Sequence, residues 1–407
     1  MSDAPNTVST LNGLLKTIYG KESIDLRPDH VKLSKAVPFI EKKKMNGANY
    51  NQTIVVKSEH GVTYGGSAGD AFTYNDAIAG ATVQATIAPS VMVLKSQISR
   101  TAIQRTENLT EGAVANATKH VIENMLLSMA NKYEAQCFYG GVGLATVASV
   151  AGSVITITTD QFAPGIWVGG EGMKLDVYAS DDTTSHNAGT SITAVDLEAR
   201  TITLSSVTNI VAGDIIYEAG AKGKEFLGVF GMLNATSGNV FGQSVSSYSL
   251  WRGNKYNVNG ALSFAKISAA IAGAVAKGVA GKLTLFINPK TWSTLLTEQT
   301  AQRTFHEGGM TQYNQGAESI EFFAINGKIE IIASTFVKES HAFALDLNCF
   351  MRIGSSDITL EDPMQKGKYV VALENSNAYQ FLAYTDSALF CSSLGRNVLL
   401  YNISNAA

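Results

Sequence analysis

Residues 108–138 read NLTEGAVANATKHVIENMLLSMANKYEAQCF, and the spacing of their apolar positions predicts a single long helix. Leu109, Ala113, Ala117, Val121, Met125, Met129, Tyr133 and Cys137 recur at every fourth residue, and Val114, Ile122 and Leu126 widen the stripe. Asn108 stands at the capping position with Glu111 three residues on, a box-like start. At 1.5 Å per residue such a helix spans roughly 45 Å, longer than the average globular helix. Its Met side chains read as core filler rather than cofactor contacts.

Upstream the period changes. The runs Ile54-Val55-Val56 and Val62-Thr63-Tyr64, a Gly-rich tip and the alternating series Ala81, Val83, Ala85, Ile87 predict two long strands joined as an extended hairpin. A hairpin of this length has little core of its own, so its place is against the body of the protein or another chain. Before it, Val8, Leu11, Leu14, Leu15 and Ile18 fall at helical spacing, and Arg27-Pro28, Pro38 and the run Lys42-Lys43-Lys44 then interrupt any period. This is an arm with one short amphipathic helix. The lysine run taken by itself reads as a solvated cluster in preference to a contact for nucleic acid or an acidic neighbour.

Downstream, residues 147–220 are rich in Thr, Val, Ile and Gly and hold a loose repeat. Val154-Ile155-Thr156-Ile157, Gly172 and Leu175-Asp176-Val177-Tyr178 are echoed by Thr201-Ile202-Thr203-Leu204, Gly213 and Asp214-Ile215-Ile216-Tyr217. Alternation between Gly and Asp turns predicts a small all-β module, and its place between helical segments makes it an insertion with edges near Ala145 and Gly220. Beyond it come a helix from about Ser263 to Lys277 with Gly278 as its cap, a strand over Leu283–Ile287 closed by Asn288-Pro289, and a second helix carrying Trp292, Leu295 and Leu296. The β-rich tail through Tyr369–Leu373, Tyr379–Tyr384 and Val398–Ile403 is expected to return and pair with earlier strands. The class is α+β.

Composition bounds what such a chain does. Its 407 residues allow more than one folding unit, and 31 basic against 34 acidic residues give a net charge of -3, without the basic excess of a dedicated nucleic-acid binder. Charged residues are 16% of the chain, below the roughly 25% of a typical soluble domain, a surface that suits extensive subunit contacts because few charges need be desolvated. Met1–Ile18 has neither a basic region nor an apolar core of a signal peptide, and no apolar run reaches the length of a membrane span, so the expectation is synthesis and folding in a cytoplasm.

No active site assembles from the motifs. Gly65-Gly66-Ser67-Ala68-Gly69 fits the G-x-S-x-G pattern of hydrolase elbows, but no helix pattern follows it and it sits at a hairpin tip. His30, His60, His120, His186, His306 and His341 lack metal-ligand spacing, and His306-Glu307 reads as a loop tip. Asp181-Asp182 lacks the alternating oxygen ligands of a calcium loop. Gly281-Lys282-Leu283 and Gly140-Gly141-Val142-Gly143 fail the phosphate- and dinucleotide-loop patterns. Asn-x-Thr triplets at Asn51, Asn108 and Asn116 carry no weight without a secretory signal. Cys137, Cys349 and Cys391 are isolated and read as buried thiols. Catalytic, cofactor and metal residues are therefore expected to be none.

The element order resembles the major capsid proteins of tailed bacteriophages, which share the Hong Kong 97-like fold. Gly228-Val229-Phe230-Gly231-Met232-Leu233-Asn234 looks like the family's glycine-and-leucine turn ending in Asn. Leu285-Phe286-Ile287-Asn288-Pro289-Lys290-Thr291-Trp292 is similar to its strand, Asn-Pro and helix start. The β island, with Phe162-Ala163-Pro164-Gly165 and Ala212-Gly213-Asp214, looks like insertions carried by some members. The resemblance implies an N-terminal arm over 1–48, an extended loop over 49–90 and a peripheral domain with the spine helix over 91–146. An inserted all-β domain over 147–220, an axial domain over 221–347 and a return to the peripheral domain over 348–407 complete the division.

By the same resemblance the chain is a coat protein, not an enzyme, that self-assembles into hexamers and pentamers of an icosahedral shell. The shell encloses double-stranded DNA without sequence-specific binding. It resides in the virion after assembly in the host bacterial cytoplasm, with no cofactor and no membrane. Its implied partners are its own copies, a portal, a candidate decoration protein and a separate scaffolding protein, because the scaffolding segment some relatives carry before the arm is not seen here. Any basic strip facing the interior would include Lys42, Lys43 and Lys44. Some members cross-link a loop lysine to a neighbour's asparagine; Lys57 lies near the loop base, but no asparagine or activating carboxylate matches, so that chemistry is not assigned. The rival readings are another self-assembling tail or surface-layer protein and, last, a serine hydrolase using Ser67.

Overall fold

The structure is a computed structural model and describes residues 31–41, 49–67, 69, 71–106, 117–279, 281–296, 320–324, 327–360, 370–374 and 376–405. The amphipathic segment 7–19, His30, Lys42–Lys44, the Asn108–Glu111 cap and His306-Glu307 lie outside these residues. In chain order the first elements are α1 (Leu33–Ala36), β1 (Phe39–Glu41), β2 (Tyr50–Lys57), β3 (Ala81–Ile87), β4 (Ser90–Ser99), α2 (Arg100–Thr106) and α3 (Ala117–Tyr139). Next come β5 (Ala145–Ala151), β6 (Val154–Ile157), α4 (Pro164–Trp167), β7 (Lys174–Tyr178), β8 (Ser185–Asp196), β9 (Thr201–Leu204) and β10 (Ile215–Glu218). They are followed by α5 (Val229–Asn234), β11 (Asn239–Val240), β12 (Gln243–Ser244), β13 (Asn254–Gly260), α6 (Phe264–Val275), β14 (Leu283–Ile287) and α7 (Pro289–Leu296). The last are β15 (Ile320–Ala324), β16 (Gly327–Ala333), β17 (Ala342–Leu345), β18 (Phe350–Thr359), β19 (Val371–Ala372), β20 (Ala378–Cys391) and β21 (Val398–Ile403).

The described residues fall into two compact units. The smaller takes them from Leu94–Leu127 and Leu360–Ala383, the larger from Asp29–Val93, Ser128–Thr359 and Tyr384–Ala407. In the smaller unit β19 pairs antiparallel with the start of β20, Val371 opposite Gln380, and Arg100 N–H donates to the Asn377 carbonyl at 3.1 Å.

The larger unit holds a six-stranded mixed sheet in the order β13-β21-β17-β14-β16-β15. Its centre is β14, Leu-Thr-Leu-Phe-Ile, in which every residue is buried, as a strand covered on both faces requires. Helix α6 packs Ile267, Ile271 and Ala274 into the core; Ser263 Oγ accepts from Lys266 N–H at 3.3 Å at its start, and Gly278 follows its end at φ 92°. Asn288 ends β14 by accepting from Lys290 N–H at 2.9 Å, with Pro289 as the first residue of α7.

The end of α3 is buried on all sides from Tyr133 to Tyr139, because the six-stranded sheet and β20 both reach it. Phe138 meets Phe286 and Phe343 of the six-stranded sheet at 5.8 and 5.5 Å, while Tyr133 Oη lies 2.9 Å from Ser387 Oγ of β20. The fourfold stripe holds over Met125, Met129, Tyr133 and Cys137, each 5% exposed or less.

Strands β5–β10 close into a barrel in the order β10-β5-β6-β9-β8-β7. The two copies of the sequence repeat pair with each other: β6 lies antiparallel to β9, with Ile155 opposite Ile202, and β7 to β10, with Val177 opposite Ile216. Alternation turns Ile155, Ile157, Leu175, Val177, Ile202, Leu204 and Ile216 inward, where with Trp167 and Phe162 they form a core of their own.

Two expectations change. Val62-Thr63-Tyr64 forms no strand; β2 pairs directly with β3, Ile54 opposite Val83, and the ladder stops at Lys57 and Ala81, which places Lys57 at the tip end rather than the base. The intervening glycines oppose an extended ladder by their conformational freedom. The tail over 348–407 also does not return as a block. β18 pairs with the end of β20 on one edge and with β1 on the other, whereas β21 enters the six-stranded sheet between β13 and β17. Val398, Leu399 and Leu400 are fully buried, which demands neighbours on both edges and both faces of β21.

Candidate assembly surfaces

Ser67 lies exposed in a turn of the hairpin tip, and among the described residues no histidine or carboxylate hydrogen-bonds its hydroxyl. His60 and His120 are exposed, His186 Nδ1 lies 2.8 Å from Asp214 Oδ2 in the barrel, and His341 is buried far from any of these in sequence. Asp181 accepts from the Thr183 and Thr184 N–H groups at 2.9 and 3.1 Å, which closes its own turn and holds its carboxyl below the ordinary range. Asp182 is engaged by Tyr217 Oη and Lys222 Nζ. Among the described residues no group of three or more His, Cys, Asp or Glu side chains converges on a metal position, and no helix is long and apolar enough to cross a membrane. The three thiols are buried; burial, then Asp346, pushes Cys349 up to about 11.

Exposure of apolar side chains is concentrated instead on the hairpin. The ladder β2–β3 buries Ala85 and Ile87 at its base, where Thr86 N–H donates to the Phe241 carbonyl at 2.9 Å. Further out it leaves Val55 at 73% exposure, and the tip presents Tyr64 at 87% and Tyr74 at 81%, with Val62, Phe72 and Ile78 more than half exposed or nearly so. The tip is ordered by local bonds: His60 N–H to the Ile78 carbonyl, Asn75 N–H to Thr63 Oγ1, and Phe72 edge-on to Tyr74 at 5.9 Å. Apolar surface presented in this way is what a partner buries.

Buried ionisable side chains at two places, of which only His341 figures among the motifs above, fix other parts of the chain. Glu134, fully buried on α3, accepts three successive N–H groups from Lys32, Leu33 and Ser34 at 3.0, 2.6 and 2.8 Å and so pins the segment that carries α1. Arg352 completes the clamp, donating to the Val37 carbonyl at 3.1 Å and lying 5.6 Å from the Phe39 ring. The second group is Lys338, Glu339 and His341, all 5% exposed or less in the β16–β17 loop. Burial brings the Lys338 ammonium down to about 7, and burial beside Lys338 brings His341 down to about 3. A lone acid within the buried run 133–139 that ends α3 and a charged tetrapeptide between two apolar strands are the signals that mark both.

Over almost its entire length the chain superposes on a subunit of the Cyanophage A-1(L) capsid asymmetric unit, with a TM-score of 0.60 at 11% identity, covering 98% of this chain and 99% of that one. The fold is that of a phage capsid protein. The capsid of the native GTA particle gives a TM-score of 0.53 at 10% identity over 98% of this chain and 100% of that one, and the empty GTA particle 0.51 at 10%. No protein-family model matches the sequence, and no curated protein does.

Proposed function

We propose that the chain is a major capsid protein, which self-assembles into hexamers and pentamers of an icosahedral shell enclosing double-stranded DNA. The observation that carries this reading is the end-to-end likeness to capsid subunits, covering 98% of this chain and 99% of the cyanophage one. In Hong Kong 97-like terms residues 1–48 are the arm, 49–90 the extended loop reaching over a neighbouring copy, and 91–146 the peripheral domain with its spine helix. Residues 147–220 are the inserted domain and 221–347 the axial domain. Of 348–407, β18 and β20 serve the peripheral domain and β21 the axial one. The apolar tip residues Tyr64, Phe72 and Tyr74 support the loop assignment, since a neighbouring copy would bury them. The chain acts structurally, as a component of the virion, without catalysis or a cofactor.

Expression alone and together with cognate assembly proteins, followed by negative-stain electron microscopy, tests the reading. Hexamers, pentamers or closed shells are expected. Tubes or flat lattices would assign it to another class of polymer, and a monomer under both conditions would refute assembly.

A further inference from the structure

The barrel joins the rest of the larger unit at two places of different character. One is a stalk, in which the chain entering the barrel and the chain leaving it run side by side. Gly228 N–H donates to the Gly140 carbonyl at 2.8 Å, Leu144 N–H to the Ile216 carbonyl at 2.8 Å, and Gly141 N–H to Glu225 Oε2 at 3.0 Å. The approach requires glycine: a Cβ on Gly140 would lie 2.4 Å from the Phe226 carbonyl oxygen, and one on Gly228 would lie 2.6 Å from Gly140 N. The other is a seat formed by the loop 334–341 between β16 and β17, which contacts the barrel's base through polar groups. Gly165 N–H donates to the Thr335 carbonyl at 2.9 Å, Glu339 N–H to the Phe162 carbonyl at 3.0 Å, and Ser340 Oγ to the Asp160 carbonyl at 2.8 Å. Across this seat Arg200, on the turn between β8 and β9, grips Glu339 with two parallel bonds, Nε to Oε1 at 3.2 Å and Nη2 to Oε2 at 3.1 Å.

We propose that the Arg200–Glu339 pair is a latch that holds the barrel in one pose on its seat, and that its release lets the barrel swing on the Gly140–Gly228 stalk. The pair has the geometry of the strongest side-chain ion pairs, bidentate and with the carboxylate only 5% exposed. It is releasable because Glu339 has a second cation. Lys290 Nζ, on α7 and not on the barrel, stands 3.4 Å from Oε1, so the carboxylate left behind by Arg200 remains paired instead of being stranded. The remaining seat bonds are neutral or come from Lys338, whose ammonium donates to the Gly143 carbonyl at 3.0 Å and to Gln161 Oε1 at 2.8 Å. These partners lie by the stalk and on the barrel's base. The hydrogen bonds of the seat are groups that water can re-solvate when the barrel lifts, and Ile166, which packs on both the barrel core and the main core, is the apolar side chain uncovered with them.

Hydrogen exchange on the full chain reads the latch directly, because the Gly165 and Glu339 amides donate across the seat and exchange only when it opens. In Arg200→Gln and in Glu339→Gln these two amides are expected to exchange about tenfold faster or more, with the amides of Ile155 and Ile202 inside the barrel and of Leu285 and Phe343 in the six-stranded sheet unchanged. The double variant is expected to add little to either single one, as a pair acting as a unit requires. Unchanged exchange at Gly165 and Glu339, or equal acceleration at all six amides, would overturn the latch. Should a variant fail to fold, Arg200→Lys, which keeps the charge but cannot form two parallel bonds, gives the same test: the same two amides are expected to exchange faster selectively, and unchanged exchange at both would refute the latch.

Discussion

Lys338 N–H donates to the Tyr139 phenol oxygen at 2.9 Å, and the same oxygen lies 3.2 Å from His341 Nδ1. Protonating His341 would put a desolvated charge in the core and a second cation beside Lys338. Its affinity for a proton therefore drops from the ordinary 6.5 to about 3. Between these values the unfolded chain binds more protons than the folded one, so stability falls as the pH is lowered through that window, by up to about 5 kcal/mol. His341→Gln keeps a hydrogen-bonding group for Tyr139 without the titration, and is expected to flatten the acid limb of a denaturation series below about pH 6.5. Lys338 acts at the other end: brought down to about 7 by burial, it makes stability rise with pH from about 7 toward 10.5, a slope that Lys338→Met is expected to abolish. Glu134 offers a harsher case. Glu134→Ala strands three N–H groups, two of them fully buried, and is expected to cost about 3 kcal/mol in urea unfolding and to expose residues 31–41 to proteases.

The hairpin separates folding from assembly at the level of an element. Val55 and Tyr64 are 73% and 87% exposed, so Val55→Ser with Tyr64→Ser should leave the unfolding midpoint within about 0.5 kcal/mol of wild type while reducing the yield of hexamers or shells by an order of magnitude. Loss of both stability and assembly would place these side chains in the subunit's own core instead. Elements with a strong local period were legible in the sequence: α3 through its fourfold stripe, α6 through Ser263 and Gly278, and the β14–α7 junction through Asn288-Pro289. The β modules were legible as modules, but not their closure. Alternation tells which face of β6 or β9 is buried, whereas the pairing of Ile155 with Ile202 is a contact between residues 47 apart that no local pattern encodes. Ser67 illustrates the reverse, a motif whose meaning was decided by the absence of a following helix. Glu134 and Glu339 were missed because their partners lie 100 or more residues away, among backbone amides and a turn arginine.

Charge is distributed unevenly over the molecule as a whole. Residues 145–218 of the barrel contain nine acidic side chains and two basic ones, a net charge of -7, so the remaining chain carries +4 of the total of -3. In a shell packed with a polyanion, an acidic module within a Debye length of the nucleic acid, about 10 Å at 0.1 M salt, would be repelled, whereas the net-positive remainder would not. The barrel is therefore expected on the outer face of a shell, its β5–β6 turn pointing away from the interior. That turn supplies the probe: Ser153 is exposed, and beside it Gly152, at φ 61°, has nothing within 4 Å of a built Cβ. The native thiols are buried, so Ser153→Cys introduces a reactive thiol against a quiet background. With a maleimide too large to pass through the shell, Ser153→Cys in intact shells is expected to label at the rate of dissociated subunits. Protection that lasts until the shells are opened would place the barrel inside. Since shells must first be seen by microscopy, a failure of assembly is read separately from a failure of sidedness. If the barrel is outside, substituting two or three of its exposed acids, such as Asp196 and Glu198, by lysine should leave DNA packaging unchanged while making the intact particle bind polyanions.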